Sequence, residues 1–448
     1  MLTKDKSFYK SFLILTVTLM LEQAVVLSVN LADNLMLGNY SETALAGVAA
    51  VNQIQFILQQ MVFAISNGMI VLGSQYWGQL KKEPIHKLIS IGFWSALVII
   101  LLLFSYVSLF PHIAVGIFTN DRAIVAEGMS YLSIVRFSYP FFAITTVLLG
   151  GLRCVEKVKI ALYVSVAALF VNCSINYVLI YGHFGFPEMG ARGAAVGTLT
   201  ARILECTIVA LYLFCGDDVL HFRPWELFSI DLSLLKDYVK VSTPILITGL
   251  IWGCNTAMQT VVLGHLSSNA IAAHSISSTI FLFLKVTSVG CSSAASILIG
   301  KAVGQNRLDK VKEYTRTLQV LFLCVGSTLG CTMLLIRRPF LSLYAISDQT
   351  YQLTLQFMIV EAFVLLCTSY QMCMNTGVIR GGGDTRFVMI MDAFVIWGIE
   401  IPLALLTAFV WKASPLIVFM MLNCDQIIKC VPAFLYGNSY RWVRKLTK

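Results

Sequence analysis

The chain has 448 residues, 58% of them hydrophobic and only 12% charged, with a mean hydropathy of +0.79. A soluble domain carries roughly 25% charged residues, so the composition excludes a soluble enzyme or binding module and implies a polytopic membrane protein. The net charge of +9 does not argue for nucleic acid, because Lys and Arg fall mainly in alternate loops, where they orient spans.

A span needs roughly 20 apolar residues, and the pattern predicts twelve, at 11–37, 50–73, 88–110, 131–152, 160–181, 193–215, 238–263, 270–299, 318–336, 353–378, 387–410 and 414–436. The first is too long for a removable signal peptide and runs straight into a polar turn. Alternate loops hold few basic residues (Arg122, Arg192, Arg337, Arg338, Lys412), while most of the rest lie in the tails and in 74–87, 153–159, 216–237, 300–317 and 379–386. That imbalance predicts two cytoplasmic termini and a multi-pass protein of the cell (plasma or inner) membrane. The 12 cysteines show no paired spacing, so neither a zinc site nor a disulfide framework is expected.

Taken in order, the first span carries the most costly polar patch. Asn30, Asp33 and Asn34 are spaced i, i+3, i+4 and share a helix face, with Glu22 and Gln23 further back on the same segment. An ionisable residue inside a span is by default a functional-site hypothesis, and no basic residue lies one turn from Asp33. In the second span Gln53, Gln60 and Asn67 recur every seven residues. The fifth has Asn172 and Asn176, and the sixth has Thr198, Arg202 and Glu205 on one face. Lys285, Ser288 and Ser292 line the eighth, Glu361 and Thr368 the tenth, Asp392 and Glu400 the eleventh, and Asp425 and Lys429 the twelfth. Amides and hydroxyls also serve as glue between membrane helices. Arg202 with Glu205, and Asp425 with Lys429, fit internal ion pairs. Asp33, among amides and without an obligatory cation, suits a proton or a monovalent ion.

The chain also repeats itself. Leu37-Gly38, Ser41, Ala44 and Ala46 recur as Leu263-Gly264, Ser267, Ala270 and Ala272, 226 residues on, as does Gly78-Gln79 at Gly304-Gln305. Ile70, Gly73 and Arg153 recur at 227 as Ile297, Gly300 and Arg380. The expected fold is therefore an all-α polytopic membrane protein, with twelve transmembrane helices in two six-helix bundles. An even number of spans per copy makes the copies parallel, related by a pseudo-two-fold axis along the membrane normal. The bundles are expected at 1–215 and 238–448, joined by a cytoplasmic linker at 216–237.

These residues resemble the multidrug and toxic compound extrusion (MATE) antiporters along the whole chain. The telling pieces are Leu31-Ala32-Asp33 with Leu37-Gly38 and Ala44-Leu45-Ala46, then Gly73 with Gly78-Gln79. Arg380-Gly381-Gly382-Gly383-Asp384-Thr385-Arg386, followed by Asp392 and Pro402, completes the set. The resemblance implies export of cationic or amphipathic small molecules in exchange for Na⁺ or H⁺, with no other cofactor. It places the coupling cation, possible Na⁺ included, at Asp33, Asn172, Asn176 and Thr198. Asn176 stands where a second carboxylate is often found, which leaves one formal negative charge in that cluster. A proline that bends the first span in many members would align near Thr18; its repeat mate here is Pro244. Gln259 is the repeat mate of Asp33. Gln53, Gln60, Asn67, Lys285, Glu361 and Asp392 are the candidates for a substrate cleft or a second coupling site. The expected partners are small molecules and the lipid bilayer, with no nucleic acid, and the protein is expected to be a monomer.

Two rivals differ in chemistry. A lipid-linked oligosaccharide flippase would present several cations to a pyrophosphate, yet only Arg136, Arg202, Lys285 and Lys429 stand out within the spans. A membrane-embedded enzyme such as an acyltransferase would need a His-x₄-Asp pair, which none of the six histidines provides, and no phosphate-cradling GxxxxGK[ST] loop appears. The expected protein is not an enzyme.

Overall fold

The computed structural model describes all residues except 1, 120, 343, 345 and 448. Among the described residues, eleven helices are long and apolar enough to cross a membrane: Lys6–Tyr40, Glu42–Gly78, Glu83–Leu109, Lys159–Tyr181, Ala191–Gly216, Leu232–Leu266, Ser268–Gly304, Leu308–Leu341, Asp348–Ile379, Thr385–Val410 and Pro415–Ser439. A twelfth crossing, fourth in order, is built from Arg122–Val135 and Ser138–Cys154, which bend by 54°. The described residues contain no strand, as expected where lipid offers the backbone no partners. The helices overrun the predicted spans at their ends, because hydropathy marks the apolar core and not the polar turns beyond it.

The bend in the fourth span was not expected, and Pro140 accounts for it. Proline has no N–H to return to the carbonyl four residues back, so the Arg136 carbonyl accepts instead from Tyr139 N at 3.3 Å. Arg136, predicted inside a span, sits at the break with its guanidinium 5.1 Å from the Phe137 ring. Pro244, by contrast, lies within the unbroken helix Leu232–Leu266. Side chains cap several helix starts: Asp121 accepts from Ala123 N (2.8 Å), Ser267 from Ala270 N (3.1 Å) and Ser347 from Thr350 N (3.3 Å).

The chain divides into two compact units. One comprises Leu21–Gly73 and Leu80–Ser242; the other comprises Met1–Met20, Ser74–Gln79 and Thr243–Lys448. They are named below by the carboxylate each contains, Asp33 and Glu400.

In the Asp33 unit the fifth and sixth spans meet through Gly193-Ala-Ala-Val-Gly197, a small-xxx-small interface that lets two backbones approach. A Cβ on Gly193 would lie 2.7 Å from the Leu179 carbonyl carbon. The segment 216–237 is tied to the third span. Ser90 Oγ and Trp94 Nε1 both donate to the Leu227 carbonyl (2.6 and 2.8 Å), and His86 joins Glu226 (3.2 Å) to the Leu220 carbonyl (2.9 Å). Asp231 then caps the seventh helix; backbone hydrogen bonds from Leu234 and Ser233 hold its carboxyl below the ordinary carboxylate range.

In the Glu400 unit the ninth and tenth spans also close on glycines: Cβ atoms on Gly326 and Gly330 would lie 2.9 and 2.7 Å from the Leu366 and Ala362 carbonyl oxygens. The loop Arg380–Asp384 is packed by the C-terminal tail. A side chain on Gly382 would meet the Trp442 ring, and Gly383 has φ of +108°, a conformation that favours glycine. Asp384 caps the eleventh helix at Phe387 N (3.2 Å), accepts from Tyr436 Oη (2.7 Å) and pairs with Arg444 (2.8 Å). Two irregularities position the chemistry. The eleventh span passes through a π-helical segment at Ile396–Glu400, and the twelfth breaks at Leu422–Asn423.

Candidate functional site

The Asp33 unit encloses a cavity of about 50 Å³, on a measure by which one water takes roughly 10–15 Å³. It can hold a small ion with a few waters and is too small for a drug-sized molecule. Asp33, Asn172 and Thr198 line it, together with Asn30, Asn34 and Asn52. Asn176 stands directly behind: its Nδ2 donates to Asp33 Oδ1 at 2.6 Å and to Asn172 Oδ1 at 3.2 Å. The four residues that the sequence singled out are thus gathered from three spans into one cluster. Asn172, Asn176 and Thr198 are 1, 0 and 8% exposed.

Two buried oxygens in this cluster, Asn176 Oδ1 and Thr198 Oγ1, have no hydrogen-bond partner. Buried polar atoms are nearly always paired; Thr198 borders the cavity, whereas Asn176 Oδ1 lies against Gly197, where an added Cβ would meet it. Asn172 and Thr198 bring side-chain oxygens to the cavity beside Asp33, the ligand chemistry of hard cations, while Asn176 turns its N–H to the carboxylate.

The surroundings add what one helix cannot show. Arg202 and Glu205 line the same cavity, joined at 2.7 Å, with Arg202 also 5.1 Å from the Phe142 ring. Asp33 is therefore not remote from basic charge, as its own helix suggested; the nearby cation is engaged by Glu205. Glu22, on the same helix as Asp33, pairs with Arg153. Of the first-span carboxylates, Asp33 is the one held by an amide alone. From the second span, Asn52 and Gln55 line the cavity, whereas Gln53 is exposed, and Gln60 and Asn67 do not border it. Tyr131 also lines it, and nothing in its local sequence signalled that position.

In the Glu400 unit the candidates separate. Asp392 is bound to Lys429 at 2.8 Å, and Lys429 also holds Asp425 at 3.0 Å, so the predicted Asp425–Lys429 pair extends to Asp392 and compensates it. The network continues through Gln426, which donates to Asp425 Oδ2 (2.6 Å) and accepts from Thr368 (2.8 Å) and Gln371 (2.7 Å). Lys285 places its ammonium 4.8 Å from the Trp252 ring and 5.8 Å from Phe281. Glu361 is 3% exposed; Ser277 Oγ donates to one oxygen at 3.0 Å, and the other has no partner. Sequence reasoning passed over the best-held carboxylate, Glu400, which accepts from Asn255 and Gln259.

Comparison with known proteins shows the family. The family model MatE matches residues 19–178 and again 244–406, once in each half of the internal repeat. The chain is 25% identical over 443 residues to the "Probable multidrug resistance protein NorM" of Thermotoga maritima, covering 97% of this chain and 93% of that one. It is 26% identical over 400 residues to the protein of the same name from Bradyrhizobium diazoefficiens, covering 88% and 85%. Among solved structures, a MATE protein in complex with MaD3S aligns with a TM-score of 0.88 at 17% identity, covering 98% of both chains. The eukaryotic MATE transporter AtDTX14 aligns at 0.86 and 16%, covering 97% and 96%. At these identities the structural likeness is one of fold.

Proposed function

The chain belongs to the MatE family of multidrug efflux transporters, and on that premise we propose that it exports cationic or amphipathic small molecules in exchange for Na⁺ or H⁺ taken up at Asp33. The observation that carries this is the oxygen-lined cavity: a carboxylate held by an amide, with Asn172 and Thr198 on the same wall. The bilayer in view is the cell membrane, with both termini cytoplasmic and the protein working as a monomer.

The residues fit a small cation. Asp33 supplies charge, Asn172 and Thr198 supply oxygens, and Asn176 holds the carboxylate in place. An ion entering from outside neutralises Asp33 and favours the state that releases substrate; substrate arriving from the cytoplasm favours the state that releases the ion. Exchange requires each ligand to bind the two states unequally. The Asn at 176 leaves Asp33 as the single unpaired negative charge of the cluster, which suits exchange better than tight retention of the ion.

A flippase for pyrophosphate-linked lipids is not favoured. Arg202 and Lys429 are engaged by carboxylates and Lys285 lies against aromatic rings, so the span cations do not gather into an anion site.

The test is efflux of ethidium from proteoliposomes, under a Na⁺ gradient and a pH gradient imposed separately. One gradient should drive efflux in the wild type. Asp33→Asn should abolish that efflux while leaving yield, monodispersity and melting temperature near wild type. Undiminished ion-driven efflux in the variant overturns the proposal.

A further inference from the structure

Glu400 is fully buried, at 0% exposure. Asn255 Nδ2 donates to both of its oxygens, at 3.0 and 3.1 Å, and Gln259 Nε2 donates to Oε1 at 3.1 Å. Gln259 Nε2 also reaches the Leu422 carbonyl at 2.8 Å, an acceptor freed by the break in the twelfth span. Among the described residues no cation pairs with Glu400. The charged groups near enough to act on it are Asp425 and Lys429 of the twelfth span, with the Cys424 thiol beside them. Lys429 is already shared between Asp425 and Asp392. Asn255 is 4% exposed, and its Oδ1 has no partner.

The backbone also departs from the α-helix here, as it does at Tyr212–Gly216, Cys373–Ile379 and Leu406–Val410. Glu400 ends the π-helical segment Ile396–Glu400, where Ile401 N returns to the Ile396 carbonyl, and Pro402 follows without an N–H to give. π-bulges of this kind often mark functional sites.

The internal repeat makes the arrangement meaningful. In the first half, the first span gives the carboxylate and the fifth gives two amides spaced i, i+4, Asn172 and Asn176. In the second half, the seventh span (mate of the first) gives two amides spaced i, i+4, Asn255 and Gln259. The eleventh span (mate of the fifth) gives the carboxylate. Gln259 stands at the repeat position of Asp33. At the 227-residue spacing Glu400 stands at that of Cys173, between the two asparagines. The halves hold the same cluster with the roles of the two helices exchanged.

We infer that Glu400, with Asn255 and Gln259, is a second proton-binding site, in the half of the protein that does not contain Asp33. An ionised carboxylate buried without a counter-charge is costly unless it takes up a proton. Three N–H contacts from two amides offset part of that cost when the proton leaves, so both states can be populated. The assignment stands on the surroundings of Glu400 and does not require Asp33 to be a coupling site.

The test is pH-induced infrared difference spectroscopy on the full chain in lipid vesicles, following the C=O band of protonated carboxyl groups. Wild type should show a band that is lost in Glu400→Gln and kept in Asp33→Asn. Gln259→Met, which keeps the carboxyl and removes one donor, should shift that band without abolishing it, and this serves where Glu400→Gln does not fold. Loss of a band only in Asp33→Asn, with Glu400→Gln and Gln259→Met indistinguishable from wild type, overturns the second site and leaves the first intact. Disappearance of the Glu400 band on adding Na⁺ at constant pH also overturns it, because the occupant would then be a metal ion.

Discussion

The Asp33 and Glu400 clusters use the same parts in different settings. Each has one carboxylate and a pair of amides one helical turn apart on a neighbouring helix. Asp33 borders a cavity large enough for an ion and its waters, with an Arg–Glu pair on the wall. Glu400 has no exposed surface, and its amide donors contact both carboxylate oxygens. The first setting allows a ligand that occupies space; the second suits one that needs none. Duplication of a six-span unit supplied the two frames, and the exchange of carboxylate and amide between helices shows that the cluster is retained although its residues are not copied position by position.

If the cluster matters more than the helix that carries the charge, the first site should tolerate the exchange seen in the second. Asp33→Asn combined with Asn176→Asp transfers the carboxylate from the first span to the fifth across a 2.6 Å contact. The double variant should recover the ion-driven ethidium efflux that Asp33→Asn loses completely, at a reduced rate. No recovery in folded protein would mean that charge must sit on the first span, and would break the equivalence. A smaller effect should separate the sites by stability. Asn255→Leu leaves a fully buried carboxylate with one amide donor and should cost about 1–3 kcal/mol, the usual penalty for an unsatisfied buried group. Asn176→Leu also removes a donor, but cavity water can replace it at Asp33, so its melting temperature should fall less. Equal losses in thermal unfolding would show that the two carboxylates are equally dry.

Much of this was legible in the sequence. Twelve spans follow from hydropathy alone, and Asn172, Asn176 and Thr198 meet at Asp33 as the resemblance implied. The fourth-span bend was missed although Pro140 was in plain view, because hydropathy does not register a missing N–H. Glu400 was passed over for a different reason. Asp392, eight residues earlier, looked equivalent from helical spacing, and only the fold shows that Lys429 has claimed it while Glu400 faces amides. As the mate of Asp33, Gln259 shows by itself only that the halves are not equivalent there, since nothing in one helix tells that its partner helix carries the acid. Asn52 and Gln55, not Gln53, Gln60 and Asn67, line the Asp33 cavity: a seven-residue period identifies a face without saying which neighbour it meets.

The finest distinction between the two sites rests on their glycines. Gly197 lies on the sixth span, where a Cβ would meet Asn176 Oδ1 and lie 3.4 Å from the Asn172 carbonyl oxygen. Gly398 lies two residues before Glu400, where a Cβ would meet only the Phe394 ring, at 3.7 Å. Alanine at either position gains up to about 1 kcal/mol of helix propensity, so neither change should unfold the protein. Gly197→Ala must push Asn176 off Asp33. The carboxylate is then no longer held in fixed register with Asn172 and Thr198, so the ion meets a less ordered set of ligands. The half-saturating ion concentration for efflux should rise accordingly, with the maximal rate less affected. Gly398→Ala touches no polar group and should stay within about twofold of wild type, the range of a substitution worth ±0.5 kcal/mol. Equal effects from the two alanines would mean that the contact between Asn176 and Asp33 does not set ion affinity.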